Sequence, residues 1–253
     1  MRRRHLRDGR ENPNWYLRYA DVLALVYFLN CQSSEYPFAT LGAKVGSTFF
    51  LALHSLLKNP LNRLLNCALL AHCAGDALIG TSRISSISEE DAMLLALAAF
   101  FLGHILCLMH QNKTRLCMNE MGVAKRFGVM AFTFGSAYIT QFIASSASGV
   151  LCYAIPIYAL ALGSMFVFAC MQKNRAFMSM VAALLYVLSD IGIAMRALRL
   201  VKEDSSWVLI ALSSNYLTWP KYYMGQRTAV ALAAHKPKDE HPPTTTSLPK
   251  NIL

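Results

Sequence analysis

Two aspartates stand where the sequence offers them little water. Asp76 lies in the stretch Ala-His-Cys-Ala-Gly-Asp-Ala-Leu and Asp190 in Leu-Leu-Tyr-Val-Leu-Ser-Asp-Ile, each within a long apolar run, and His104 sits in the middle of a third. An ionisable side chain at membrane depth costs about 3 kcal/mol on insertion scales and generally faces a bundle interior or a wet cavity. Such residues can tie helices together, relay protons or ions, or do acid–base chemistry. Two carboxyls in separate segments suit the last of these. In a low dielectric neighbouring charges repel, so one carboxyl can hold a proton and act as acid while the other stays charged. His72 precedes Asp76 by four residues and shares its helical face, as Tyr186 does for Asp190, with Ser189 adjacent. Gly75 permits close approach of a neighbouring helix. A further polar group, Tyr222, Tyr223 and Gln226, lies in the last apolar segment with Lys221 and Arg227 beside it. Asp21, near Arg18, reads as an interfacial pair, and His54 as structural. His72, His104 and the aspartates could in principle supply metal ligands, but no His-x-x-x-His or comparable spacing asks for a metal, and no cofactor is expected.

The elements that must position these groups follow from composition. Of 253 residues 55% are hydrophobic and only 15% charged, with a mean hydropathy of +0.35. That is too little polar side chain to cover a water-soluble globule of this size. The apolar residues gather into windows of about 20 residues, the length a helix needs to cross a hydrocarbon core. Closed β-barrels would need alternating segments of about 10 residues, which are not present. The expectation is therefore an all-α polytopic membrane bundle of eight spans. The first seven run from about Trp15 to Asn30, Pro37 to Leu57, Leu61 to Gly80, Ala92 to His110, Phe127 to Ser145, Val150 to Met171 and Phe177 to Met195. The last segment, Trp207 to Ala234, contains Pro220 and reads either as one kinked helix or as a surface helix feeding a span from about Tyr216.

Residues 1–14 form a basic tail, 15–234 the membrane domain that would carry any catalysis, and 235–253 a disordered tail. Arg2, Arg3, Arg4, Arg7 and Arg10 place the N-terminal tail in the cytoplasm, and basic residues recur in every second connection, so both termini are expected there. The net charge of +10 then reports orientation and anionic-lipid contact rather than nucleic-acid binding. The seven cysteines lie mostly in apolar windows without framework spacing and read as small hydrophobes. The bilayer is the one partner this pattern implies. Nothing in it specifies an oligomeric state.

At these positions the sequence resembles the YhhN family of membrane proteins, which includes the lysoplasmalogenases. The likeness covers roughly residues 15 to 234. It rests on Gly75, Asp76 and Leu78 at the end of the third span, Phe100 and His104 in the fourth, Tyr158 and Met165 in the sixth, Ser189 and Asp190 after Leu184, Leu185 and Tyr186 in the seventh, and Tyr222, Tyr223 and Gln226 in the last. Cys107 stands where the family commonly has a tyrosine, and Arg227 is more polar than expected after the glutamine. The resemblance implies hydrolysis of the sn-1 vinyl ether of lysoplasmalogen to a fatty aldehyde and glycerophosphoethanolamine or glycerophosphocholine. It implies Asp76, Asp190 and His104 as catalytic residues and Tyr158, Ser189, Tyr222, Tyr223 and Gln226 around the substrate. It also implies an integral protein of the inner membrane in a bacterium or of the endoplasmic reticulum in a eukaryote.

A vinyl ether has no electrophilic carbonyl and must first be protonated at carbon. The resulting oxocarbenium ion resembles that of glycoside hydrolysis, where one carboxylic acid donates a proton and a carboxylate stabilises charge or activates water. The alternatives are a small transporter or proton relay using the same aspartates, and a non-catalytic lysolipid-binding protein. A nucleophilic lysophospholipase is less attractive, because neither Ser189 nor Ser136 has an evident triad.

Overall fold

In the computed structural model the described residues are 14–31, 37–81, 86–113, 122–145, 149–172, 175–197, 210–211 and 213–234. Both tails and the connection carrying Arg199, Lys202, Glu203 and Asp204 lie outside them, apart from Asn14. Eight long helices occur among the described residues: α1 (Asn14–Asn30), α2 (Pro37–Lys58), α3 (Arg63–Thr81), α4 (Glu89–Asn112), α5 (Val123–Ala144), α6 (Leu151–Cys170), α7 (Ala176–Ala197) and α8 (Asn215–Ala234). Their limits follow the apolar windows closely. Four helices, α3, α4, α6 and α7, are long and apolar enough to cross a membrane by length and composition. Of the others, α1 has only 17 residues, α2 carries Lys44 among threonines and serines, and α8 carries three tyrosines with Lys221, Gln226 and Arg227.

Local chemistry explains several ends. Ser88 caps α4, its hydroxyl oxygen accepting from the Asp91 N–H, and Glu89, Glu90 and Asp91 add negative charge where the helix dipole is positive. Gly149, at φ +62°, makes the left-handed turn before α6 that a side chain would resist. Pro156 and Pro220 each sit in the second turn of their helices, α6 and α8. A missing amide there frees a carbonyl near the helix start, not in mid-span. In the last segment the helix begins at Asn215 after a bend at Ser214, close to the later start expected for a true span.

Sequential neighbours pack as α1 on α2, α2 on α3 and α3 on α4. The path then passes from α4 to α6, α7 and α8, and α8 returns to α1 and α2; α5 packs on α6. The α3–α4 contact is close because glycines face rings. A Cβ on Gly75 would lie 2.7 Å from the Phe100 ring, and one on Gly103 would lie 2.3 Å from the His72 ring. One end of the bundle is clasped by polar side chains. There Ser55 donates to Asn66 Oδ1 at 2.7 Å, Asn66 to the Asn59 carbonyl at 3.0 Å, and Gln172 to the Gln111 carbonyl at 3.0 Å.

The surface is inverted relative to a protein in water. Leu29, Phe38, Leu160 and Phe177 are each 66–69% exposed, while Ser47, Thr48, Ser55 and His72 are fully buried. Hydrocarbon is the solvent that rewards this arrangement.

Candidate active site

Asp190 is the hub of the buried polar centre. On α7, its Oδ2 lies 3.1 Å from His104 Nε2 of α4 and accepts a hydrogen bond from the Tyr158 hydroxyl of α6. His104 Nε2 and Tyr158 Oη are themselves 2.9 Å apart. Three helices thus bring three heteroatoms into mutual contact, with His104 fully buried and the Asp190 side chain 9% exposed. Oδ1 of Asp190 carries none of these bonds.

Asp76 on α3 forms a second centre. Lys44 of α2 places Nζ 2.9 Å from Asp76 Oδ1, in a pair whose side chains are 13% and 2% exposed. The Thr48 and Tyr222 hydroxyls lie beside the same carboxyl, their own hydrogen bonds running to the carbonyls of Val45 (3.0 Å) and His72 (3.5 Å). Trp219 of α8 presents its ring to the Lys44 ammonium at 5.6 Å, within cation–π range. Removing one partner of a buried ion pair strands the other charge, at about 3–5 kcal/mol.

A block of rings joins the two centres. His72 stands 4.9 Å from His104, 5.4 Å from Tyr186 and 6.3 Å from Tyr222, centroid to centroid. Tyr186 lies 5.7 Å from His104 and 5.8 Å from Tyr222. Gly225 lets α8 approach α7 here, since a Cβ at that position would fall 3.1 Å from the Ala182 carbonyl oxygen and 3.3 Å from the Tyr186 ring.

Polar atoms within this block lack hydrogen-bond partners among the described residues: both ring nitrogens of His72, His104 Nδ1, Asp76 Oδ2, Tyr186 Oη, Ser189 Oγ and both amide atoms of Gln226. Each unmet buried group costs about 1–3 kcal/mol, and folded proteins seldom leave several side by side. These atoms remain able to bond to water or to hydroxyls brought from elsewhere.

Depth is uniform. Lys44, Tyr158 and Tyr222 each lie seven residues into their helices, Asp190 lies seven residues before the end of α7, and Asp76 five before the end of α3. At 1.5 Å per residue these residues form a layer roughly 10 Å below one end of the bundle, opposite the polar clasps.

The residues expected from sequence fall into two groups. Asp190, His104 and Tyr158 meet directly, with Ser189 adjacent, while Asp76 and Tyr222 meet on the other side of the rings. Gln226, fully buried, follows Tyr222 by one turn. Tyr223 is turned elsewhere: its hydroxyl donates to Asp21 Oδ1 of α1 at 2.7 Å, and Arg227 Nε reaches the same oxygen at 3.3 Å. Consecutive helical residues diverge by about 100°, so Tyr222 and Tyr223 cannot both face one site. Lys44 was missed. It is an ionisable residue inside an expected span, and the criterion that selected the aspartates also selects it.

Fold and centre together define a polytopic helical membrane protein with a buried Asp–His–Tyr cluster. The chain belongs to the YhhN family, matching it over residues 39–232. Among curated proteins and among solved structures, nothing matches the chain.

Proposed function

We propose that the protein is a lysoplasmalogenase, hydrolysing the sn-1 vinyl ether of a one-chain lysolipid within a bundle whose eight helices all span the membrane and whose termini are both cytoplasmic. The observation that carries this reading is the buried contact of Asp190 with His104 and Tyr158, joined through aromatic rings to a second carboxyl, Asp76.

The chemistry needs an acid, a counter-charge and a water. A carboxylic acid protonates the vinyl carbon distal to oxygen, and the double-bond electrons form the new C–H bond. Positive charge then rests on the oxocarbenium, where a carboxylate stabilises it. Water adds to the carbon bound to the ether oxygen and returns a proton to the acid's conjugate base. The hemiacetal so formed breaks its C–O bond to the glycerol oxygen, which takes up the hydroxyl proton, giving aldehyde and alcohol. The unpartnered atoms of Gln226, Ser189, Tyr186 and His72 suit the glycerol hydroxyl and the attacking water. A single alkenyl chain can stay in apolar surroundings, each buried methylene contributing about 0.8 kcal/mol.

Asp76→Asn and Asp190→Asn, each in purified full-length protein, are assayed on vinyl-ether lysolipid, its ester analogue and the two-chain parent. Each should lose about 10²–10⁴ in rate on the first substrate, the range of general acid–base contributions. The ester and the two-chain lipid should be poor substrates for the wild type. Near-normal aldehyde release by both folded variants rules the reading out. Solute flux with no aldehyde points instead to a transporter or proton relay.

A further inference from the structure

The two carboxyls differ in what neutralises them. Lys44 sits 2.9 Å from Asp76, so these two charges cancel. Among the described residues, the groups that face Asp190 are His104 from α4, Tyr158 from α6, Tyr186 on its own helix and Tyr222 from α8. Only the imidazole among them can become a cation, and its Nδ1 is buried without an acceptor. An imidazolium would leave a charged N–H unmet at that atom, which is costlier than the bare lone pair of a neutral ring. With its hydrogen on Nε2, a neutral His104 donates to Asp190 Oδ2, and Tyr158 donates to the same oxygen. A site surrounded by hydrocarbon favours zero net charge. With Lys44 and Asp76 cancelling, zero is reached when Asp190 carries one proton. Oδ2 is occupied by two donors, so the proton belongs on Oδ1, the oxygen that none of these bonds uses.

We propose that Lys44 is a positioning residue that holds Asp76 as the carboxylate of the centre and so leaves Asp190, through Oδ1, as the proton donor. Its catalytic consequence rests on the hydrolytic reading above; the protonation states do not. In that reaction the Asp190 proton goes to the vinyl carbon, the Asp76 carboxylate faces the oxocarbenium, and the attacking water returns a proton to Asp190.

The test is infrared difference spectroscopy of the full-length protein in nanodiscs near neutral pH, following the carbonyl stretch of protonated carboxyls and its shift in D2O. The wild type should show a band that Asp190→Asn removes and that the charge-neutral double variant Lys44→Met/Asp76→Asn keeps. Lys44→Met strips Asp76 of its cation and should add a second band, absent from the double variant Lys44→Met/Asp76→Asn; Lys44→Arg should add none. Turnover of vinyl-ether lysolipid should fall at least about tenfold in Lys44→Met, less than the full loss of a general acid–base group because both carboxyls remain, and stay within about fivefold in Lys44→Arg. Should Lys44→Met fail to fold, Asp190→Asn and the double variant, which leaves no buried charge unpaired, still decide the matter. A band that survives Asp190→Asn, or one lost in Lys44→Met/Asp76→Asn, overturns the assignment, as does Lys44→Met without a second band. Because the bands need no turnover, a protein that hydrolyses nothing yet shows them removes the hydrolytic reading and keeps the assignment. An active enzyme with the bands reversed does the opposite.

Discussion

Gly103→Ala adds one methyl group at the tightest point of the centre. The new Cβ would stand 2.3 Å from His72 Cδ2 and 2.4 Å from Nε2, whereas carbon contacts settle at about 3.5–4.0 Å. His72 must therefore retreat by more than about 1 Å. It is hemmed in by the rings of Phe100, His104, Tyr186 and Tyr222. Overpacking of this kind costs about 1–3 kcal/mol, offset by about 1 kcal/mol because alanine is the better helix former. Gly42→Ala on α2 is the matched control: nothing lies within 4 Å of its would-be Cβ, so only the gain applies. The gap between the two variants isolates the clash at about 1–3 kcal/mol, several degrees in the unfolding midpoint for a chain of this size. Turnover should respond more strongly, by up to about 10²-fold, since His72 lies against the His104 ring that contacts Asp190 and small misplacements are costly. Thermal unfolding in detergent and aldehyde release measure both quantities. Gly103→Ala unfolding at or above Gly42→Ala, or keeping wild-type turnover, would refute the packing argument.

Other substitutions probe single contacts. Tyr158→Phe removes a donor to the carboxylate that Asp190 becomes as it gives up its proton, and should slow turnover about tenfold or more, from the roughly 1.5–3 kcal/mol of a hydrogen bond to a charged group. Tyr223→Phe, which loses only the bond to Asp21, should leave turnover within about threefold while destabilising the protein by about 1 kcal/mol. Equal losses of activity in the two variants contradict the site as drawn. Gln226→Leu should raise the unfolding midpoint, because it deletes an amide with no partner, and lower turnover; a fall in both points to a structural role. Reporter fusions at residues 5 and 240 should both give cytoplasmic signals, and opposite sides defeat the even span count.

The helices were largely legible in the sequence because apolar windows have a length set by the bilayer, and that signal is local. The α4 window from Ala92 to His110 became a helix from Glu89, the extra turn being the acidic, Ser88-capped start that hydropathy ignores. The site was legible as a list and not as an arrangement. Asp190 and His104 are 86 positions apart, and nothing in either segment says that α4 packs on α6 rather than on α5, or that His104 reaches across to α7. The direction of consecutive tyrosines was equally hidden: Tyr222 and Tyr223 look equivalent in sequence, yet one turns to α3 and the other to α1. Lys44 was a different kind of miss, since its cost at membrane depth is readable without any structure.

The polarity of α2 and α8 has one physical source with the site. A helix that lends Lys44 and Thr48, or Tyr222 and Gln226, to a buried centre cannot also be an apolar run, so the elements least like membrane spans by composition are those that complete the Asp76 side. What makes them tolerable in lipid is direction. On α2, Thr40, Ser47, Thr48, His54 and Ser55 are buried while Phe38, Phe49, Leu56 and Leu57 are exposed. On α8, Thr218, Tyr222 and Gln226 are buried while Leu217 and Met224 are exposed. Each helix thus faces hydrocarbon with carbon and the interior with polar atoms. The more apolar helices α4, α6 and α7 supply the Asp190 side with one polar contact each, a load a strongly hydrophobic span can carry. Division of labour between two polar and several apolar helices lets a centre holding a lysine, two aspartates and two histidines sit below the surface of a bundle this small.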